Sequence, residues 1–315
     1  MRIGISKERG LSGYERAVLL PEEIKKIVRA GHKVFVEKGI GEDIYIEDSK
    51  YRTAGAQIVS EAKDIFAQPF VVKLTSPSDN EFLMMKNNIL LSMFHAGQNQ
   101  HRVKFLQERK IKAFAMECIE TDQGERLVDA TDITGEQALI YGYNLTKKSP
   151  HECSVLILGY GRIATGALKV VMGLNSRMKI LRKSEYKDIR HHLKGKDILV
   201  NGIHWPKYHR ERKDYVVTRS MLKLMNPGAI VVDISVDYPS PIETCKPTMP
   251  NDPWYEIDGV KHVCVYGYPS LAPISCSRRY SKQVLPLVLE LARKKGKDLS
   301  KPLQNGFIKI KDYIG

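Results

Sequence analysis

Three side chains in the first hundred residues carry more chemistry than their surroundings ask for. Arg16, in "GYERAVLLP", offers a planar guanidinium fork that can take a carboxylate. Lys73 closes the apolar run "FVVKL", an odd place for a lysine that only seeks solvent, and His95 closes "LLSMFHAGQ" beside a glycine. In an open α/β sheet the carboxyl ends of strands border the ligand crevice, so a cation and a titratable imidazole at two such ends suit the binding and protonation of a keto acid. Each residue also has a plain reading: a surface ion pair for Arg16, a lysine extending its ammonium to water for Lys73, a hydrogen-bonded core histidine for His95.

A second set begins at Ser154 with "SVLILGYGRIATG". An apolar strand ends at Gly159, which permits a tight turn. Gly161 lets backbone approach a pyrophosphate, and a small residue at Ala164 lets the emerging helix pack closely on the strand. Arg162 and Ile163 complete this candidate cofactor-binding stretch. A further strand, "MKIL", follows and ends at Leu181, where dinucleotide folds often place an acidic residue for a ribose. Here Arg182 and Lys183 stand instead, and both pair with a 2′-phosphate at charge-assisted strength. NADPH is therefore the expected cofactor, with NADH possible because Glu185 lies within reach of the same ribose.

The elements that must position these residues alternate along the chain. "RIGIS", "KVFVE", "FVVKL", "NILLSMF" and "KAFAM" read as strands, "PEEIKKIVRAG" and "QHRVKFLQERK" as helices. A second series runs through "SVLILG", "MKIL", "DILVN", "AIVVDIS" and "HVCVYG". Such alternation predicts right-handed βαβ units, and the fold class is α/β with two doubly wound domains. Segment 131–148 is expected to carry the chain from one to the other, and "YSKQVLPLVLELARKKG" to return to the first. The five cysteines are scattered without CxxC spacing, so neither disulfides nor a metal site are signalled. The net charge of +14 is spread along the chain with only short excesses such as "KYHRERK", which argues against a nucleic-acid partner. There is no signal-like start and no run that could span a membrane, so a cytoplasmic protein with no membrane association is expected.

Taken together, "MRIGISKERGLSGYERAVLLPEEIKKIVRAGHKVFVEKGIGE", "VVKLTSP", "FHAG", "VVDISVD", "DPWYEIDGVKHVCV" and "VLPLVLELARKKG" resemble the alanine dehydrogenase and pyridine nucleotide transhydrogenase family over nearly the whole length. The resemblance implies a Rossmann dinucleotide domain, 135–269, inserted into a split substrate domain, 1–134 and 270–315. It implies that the residues matching Arg16 and Lys73 bind a keto acid, that the one matching His95 acts as acid or base, and that the one matching Asp237 lies near nicotinamide and substrate. It also implies a homo-oligomer. Glu117, at the end of "FAME", is expected either to orient His95 or to form a structural ion pair. Two departures stand near the expected pocket: "DYPS" and "GYPS" replace the family's Gln-Gly-Gly and Asn-Met-Pro-Gly segments. A smaller NADPH-dependent branch, the N5-(carboxyethyl)ornithine synthases, is more similar in length, in the Arg-Lys pair and in "PSLAP". The function so implied is reductive condensation of pyruvate with an amino-acid amine such as ornithine or lysine, with Tyr238 or Tyr268 lining the amine side unless they only fill the fold. The alternatives are an alanine dehydrogenase using ammonia and a dinucleotide-binding protein without turnover.

Overall fold

The computed structural model describes residues 1–9, 15–97 and 99–313. The chain forms two compact units, Met1–Asp129 with Pro273–Gly315, and Ala130–Ala272. The junctions thus fall at 129/130 and 272/273, against 134/135 and 269/270 expected from the sequence.

The first unit lays down strands β1 (Arg2–Ile5), β2 (Lys33–Glu37), β3 (Gln57–Val59), β4 (Phe70–Thr75), β5 (Ile89–Met93) and β6 (Lys112–Ala115). Helices α1 (Pro21–Arg29), α2 (Asp48–Thr53), α3 (Ala62–Phe66), α4 (Asp79–Leu83) and α5 (Gln100–Glu108) connect them. The sheet order is β3-β2-β1-β4-β5-β6 and each adjacent pair is parallel, which requires crossover connections between the strands. The order reverses between β1 and β4, which places their carboxyl ends at the crevice of the sheet. Near that end β4 loses register: Val72 pairs with Leu91 but Thr75 with Met93, so β4 holds one residue more than its neighbour. A bulge of this kind re-aims a side chain and frees backbone N–H groups, here around Lys73. The long helix α10, Pro273–Lys294 in the chain, returns to this unit. Its Ser277 and Ser281 hydroxyls accept the N–H groups of Ala17 and Leu20 at 3.0 and 2.7 Å, which fixes the segment that holds Arg16.

The second unit opens with α6 (Thr131–Leu145), which belongs wholly to it, and continues through β7 (Ser154–Leu158), α7 (Arg162–Gly173), β8 (Arg177–Leu181), α8 (Ile189–Leu193), β9 (Ile198–Asn201), α9 (Lys207–Arg212), β10 (Ile230–Asp233), β11 (Trp254–Ile257) and β12 (Val260–Val263). The order is β11-β12-β10-β9-β7-β8, parallel except for β11, which runs antiparallel to β12. Apolar side chains of the two sheet faces form separate layers, one under α6 and α7 and one around α8 and Val217 to Ala229. The helices α6 and α7 approach through glycine: a Cβ on Gly166 would lie 1.7 Å from the Asp132 carbonyl oxygen, and one on Gly135 2.3 Å from that of Ile163. No helix among the described residues is long and apolar enough to cross a membrane.

Candidate active site

Lys73 is 2% exposed. Its ammonium donates to the Lys7 carbonyl at 3.0 Å and lies 3.5 Å from Glu8 and 3.7 Å from Glu81. Glu8 explains why the bulge is stable, because its carboxylate accepts Leu74 N–H at 2.8 Å, Thr75 N–H at 3.2 Å and the Thr75 hydroxyl. Arg9 binds both Glu81, at 2.7 Å, and Glu37. The ammonium is therefore a member of a buried charge network at the ends of β1 and β4, compensated on the protein side by carboxylates, as a buried cation must be. Glu8 and Glu81 escaped the sequence reading. Glu8 stands three residues beyond β1 and Glu81 on α4, and nothing in the local sequence marks either as a partner of Lys73.

Arg16 lies in the connection from β1 to α1. Its Nε is shut off from solvent with no acceptor among the described residues. Burial pushes the neighbouring Tyr280 phenol up, and the Arg16 guanidinium opposes that shift. A buried guanidinium donor left unpaired costs about 1–3 kcal/mol, so the site is suited to an added anion. His95 follows β5 at φ +50, a left-handed conformation rarely held without support. Glu117 supplies it, taking the backbone N–H groups of Phe94 and His95 on its two oxygens while lying 3.9 Å from the His95 Nδ1. The imidazole is 43% exposed and borders a recess of about 290 Å³ with Glu117, Cys118 and Tyr313. A larger recess, about 770 Å³ along β6 and the C-terminal segment, is lined by none of Arg16, Lys73 and His95.

In the second unit the glycine turn sits at the reversal of strand order between β7 and β9. Gly159 has φ +84, and a side chain there would meet Ile203 at 2.6 Å. Gly161 precedes α7, and a Cβ on it would meet nothing within 4 Å, so its backbone faces open space. Arg162 and Ile163 begin the helix, and Ala164 is fully buried, its Cβ 3.0 Å from where one on Gly202 would stand. Arg182 and Lys183 follow β8, both exposed, with no ion pair among the described residues. The Arg182 guanidinium lies 5.8 Å from the centre of the Tyr160 ring. Glu185 is occupied locally: its carboxylate accepts the Arg182 N–H at 2.9 Å and pairs with Lys179 at 3.2 Å, and these two partners, in that order, hold its carboxyl below the usual range. Lys183, Tyr186, Ile203, His204, Trp205, Pro206 and His209 line a recess of about 240 Å³. Trp205 is 7% exposed, and its indole N–H has no acceptor among the described residues. An open glycine backbone, two exposed cations without an ion pair and an indole donor without an acceptor, each among the described residues, together fit the phosphates, ribose and base of a dinucleotide.

Asp237, beyond β10, accepts the backbone N–H of Trp205 at 2.7 Å and lies 3.3 Å from His204 Nδ1 and 3.8 Å from Arg210. Tyr238 beside it is 61% exposed. Tyr268 requires a correction: it is 1% exposed, and its hydroxyl lies 3.0 and 2.8 Å from the Asp233 and Val263 carbonyl oxygens, so it is a core residue with no face for a substrate. Sequence reading also missed that Cys245 and Cys264 converge on Asp233, with donor atoms within 4.8 Å of one another. That carboxylate is already held by Asn201, the Val236 N–H and Ser240.

Residues 4–134 match the alanine dehydrogenase/PNT N-terminal domain and residues 176–310 the C-terminal domain of the same name. The alanine dehydrogenase of Methanococcus maripaludis is 27% identical over 332 aligned positions, covering 93% of this chain and 88% of that protein. Alanine dehydrogenase 1 of Staphylococcus aureus is 27% identical over 333, with the same coverage. Among solved structures, an L-alanine dehydrogenase superposes with a TM-score of 0.85 at 24% identity, covering 98% of this chain and 94% of its own. A transhydrogenase from Sinorhizobium meliloti gives 0.80 at 20% identity, covering 93% and 94%. At such identities the superpositions speak for the fold.

Proposed function

The chain belongs to the alanine dehydrogenase/pyridine nucleotide transhydrogenase family, and from that premise we propose that it is an NADPH-dependent oxidoreductase joining pyruvate, or a similar 2-keto acid, to an amino-acid amine. The observation that supports the keto-acid half most directly is Arg16, a buried guanidinium Nε for which the described residues offer no acceptor. Arg16 would take the carboxylate and the Lys73 ammonium would polarise the keto oxygen, its charge kept in place by Glu8 and Glu81. His95, held in its turn by Glu117, would move protons as the amine adds and water leaves. Asp237 would offer negative charge to the cationic iminium so formed. When bound, the dinucleotide supplies the hydride that reduces this carbon. Gly159, Gly161, Arg162, Ile163 and Ala164 would carry its pyrophosphate, and Arg182 and Lys183 its 2′-phosphate.

The relatives' names favour a second reading, the formation of alanine from pyruvate and ammonia. Oxidation of NADPH and of NADH, followed with pyruvate against ammonia, ornithine and lysine, separates the two. Turnover with an amino acid well above that with ammonia is the expected result, and equal turnover returns the chain to the alanine dehydrogenase reading. His95→Ala should lower that turnover by roughly 10²- to 10⁴-fold while NADPH still binds. A folded variant with near-normal turnover would leave His95 without a catalytic part.

A further inference from the structure

Arg210, on α9, is drawn toward Asp237 without being satisfied by it. One guanidinium nitrogen lies 3.8 Å from the Asp237 carboxylate, a separation for charge attraction and too long for a hydrogen bond. The Nε is closed off from solvent with no acceptor among the described residues, and the hydroxyl of Ser235, two residues before Asp237 in the chain, is in the same condition. Asp237 meanwhile spends one oxygen on the Trp205 N–H and on His204. The guanidinium side chain is 28% exposed, open enough to meet a ligand and enclosed enough that an ion pair there is not fully screened. These groups follow β9 and β10, the strand ends where doubly wound sheets take their ligands.

A planar fork, part-buried, with an unmet donor and one carboxylate within ion-pair distance among the described residues, is complementary to one chemical group above others: a carboxylate. The keto acid already has Arg16 and Lys73. Ammonia has no carboxylate, whereas an amino acid that reacts through its side-chain amine carries one at the far end of a short alkyl chain. We propose that Arg210 is the residue that recognises the α-carboxylate of the amine substrate, with Asp237 fixing the fork. The proposal rests on the reading that the amine is an amino acid, and it assigns a specificity-determining residue to that half of the reaction.

The test compares kcat/KM, with NADPH and pyruvate, for ornithine against 1,4-diaminobutane and for lysine against 1,5-diaminopentane. Each diamine is the amino acid without its carboxylate. Wild type should prefer the amino acid by about tenfold or more, the discrimination expected when a site built for a polar group meets an analogue lacking it. Arg210→Gln should bring the amino acid down to the level of its diamine, while NADPH binding, read by fluorescence titration, and the KM for pyruvate stay as in wild type. A variant that was merely damaged would lose both amines in parallel. Should Arg210→Gln fail to fold, Arg210→Lys keeps the charge without the fork and should retain only part of the preference. A variant that keeps the full wild-type ratio overturns the assignment of Arg210 while leaving the amino-acid reading intact. Wild type that uses ammonia as well as either amino acid overturns that reading and the assignment with it.

Discussion

Two adjacent exposed cations after β8, Arg182 and Lys183, carry the proposal that the second unit prefers NADPH. The Tyr160 ring lies 5.8 Å from the guanidinium, within cation–π range, and the Glu185 carboxylate is engaged by the Arg182 N–H and by Lys179, which offsets part of its charge. Replacing both cations with alanine should weaken 2′,5′-ADP by at least about tenfold and leave AMP nearly unchanged, since each charge-assisted bond is worth roughly 1.5 to 3 kcal/mol before screening. Tyr160→Leu should give a smaller loss in the same direction. Calorimetric titration with the two nucleotides decides it, and equal affinities in wild type would end the NADPH assignment. The cation pair was legible because it follows a recognisable strand. The fate of Glu185 was not, because a carboxylate three residues on can serve either a ribose or its own backbone, and only the folded turn selects. Lys73 was legible for the same reason as the pair, yet Glu8, 66 positions from the backbone N–H it holds, was not. Tyr268 was misplaced because "GYPS" looks like a surface turn, and nothing local reveals that its hydroxyl meets two carbonyls of the sheet.

Between elements, the contact most exposed to a single atom is that of α6 with α7. A methyl group on Gly166 would meet backbone, the Asp132 carbonyl oxygen at 1.7 Å and the Glu136 nitrogen at 2.6 Å, and backbone cannot rotate aside. Gly166→Ala should therefore part the helices and cost about 1–3 kcal/mol or more. Gly161→Ala makes the useful contrast, since its Cβ would meet nothing within 4 Å and its φ of −69° is ordinary. It should melt like wild type while losing affinity for the dinucleotide. Thermal unfolding and NADPH titration of both variants check the pair, and a Gly166→Ala protein as stable as wild type would refute the packing argument. Gly166 falls within the helix that follows the glycine turn, but what it touches is not legible locally, because the partner lies on another element. Apolar strands such as β4, β5 and β7 were plain, whereas β11 alternates exposed and half-buried residues, "WYEI", and has too little apolar character to stand out.

Over the whole molecule, acid should act first through buried imidazole. His262 on β12 is fully buried; its Nδ1 donates to the Val260 carbonyl at 3.0 Å, and its Nε2 accepts from the Thr244 hydroxyl at 2.7 Å while the ring stacks on Tyr255. The neutral ring satisfies both contacts, and burial holds its pKa down to about 4, against an ordinary 6.5. Above pH 6.5 neither folded nor unfolded chain binds the proton and stability is unaffected. Between 6.5 and 4 the unfolded chain binds it and the folded one does not, so stability falls as pH falls, and below 4 both are protonated and the loss levels off. The drop amounts to roughly 3 kcal/mol, at about 1.4 kcal/mol per unit. His32 in the first unit, also lowered by burial and by the Met1 ammonium, adds to it in the same direction. Asp197 acts lower on the scale. Burial would raise its carboxyl, but Lys148, Asn226 and the Ser154 N–H outweigh that and hold it below its ordinary 3.8, so its contribution is present above that value and lost as pH falls beneath it. Urea unfolding at pH 7, 5.5 and 4.5 should thus show a fall in which His262→Gln shares only weakly, whatever its starting stability. The same slope in the variant as in wild type would place the acid sensitivity elsewhere, in the general repulsion of a chain that already carries +14 at neutral pH.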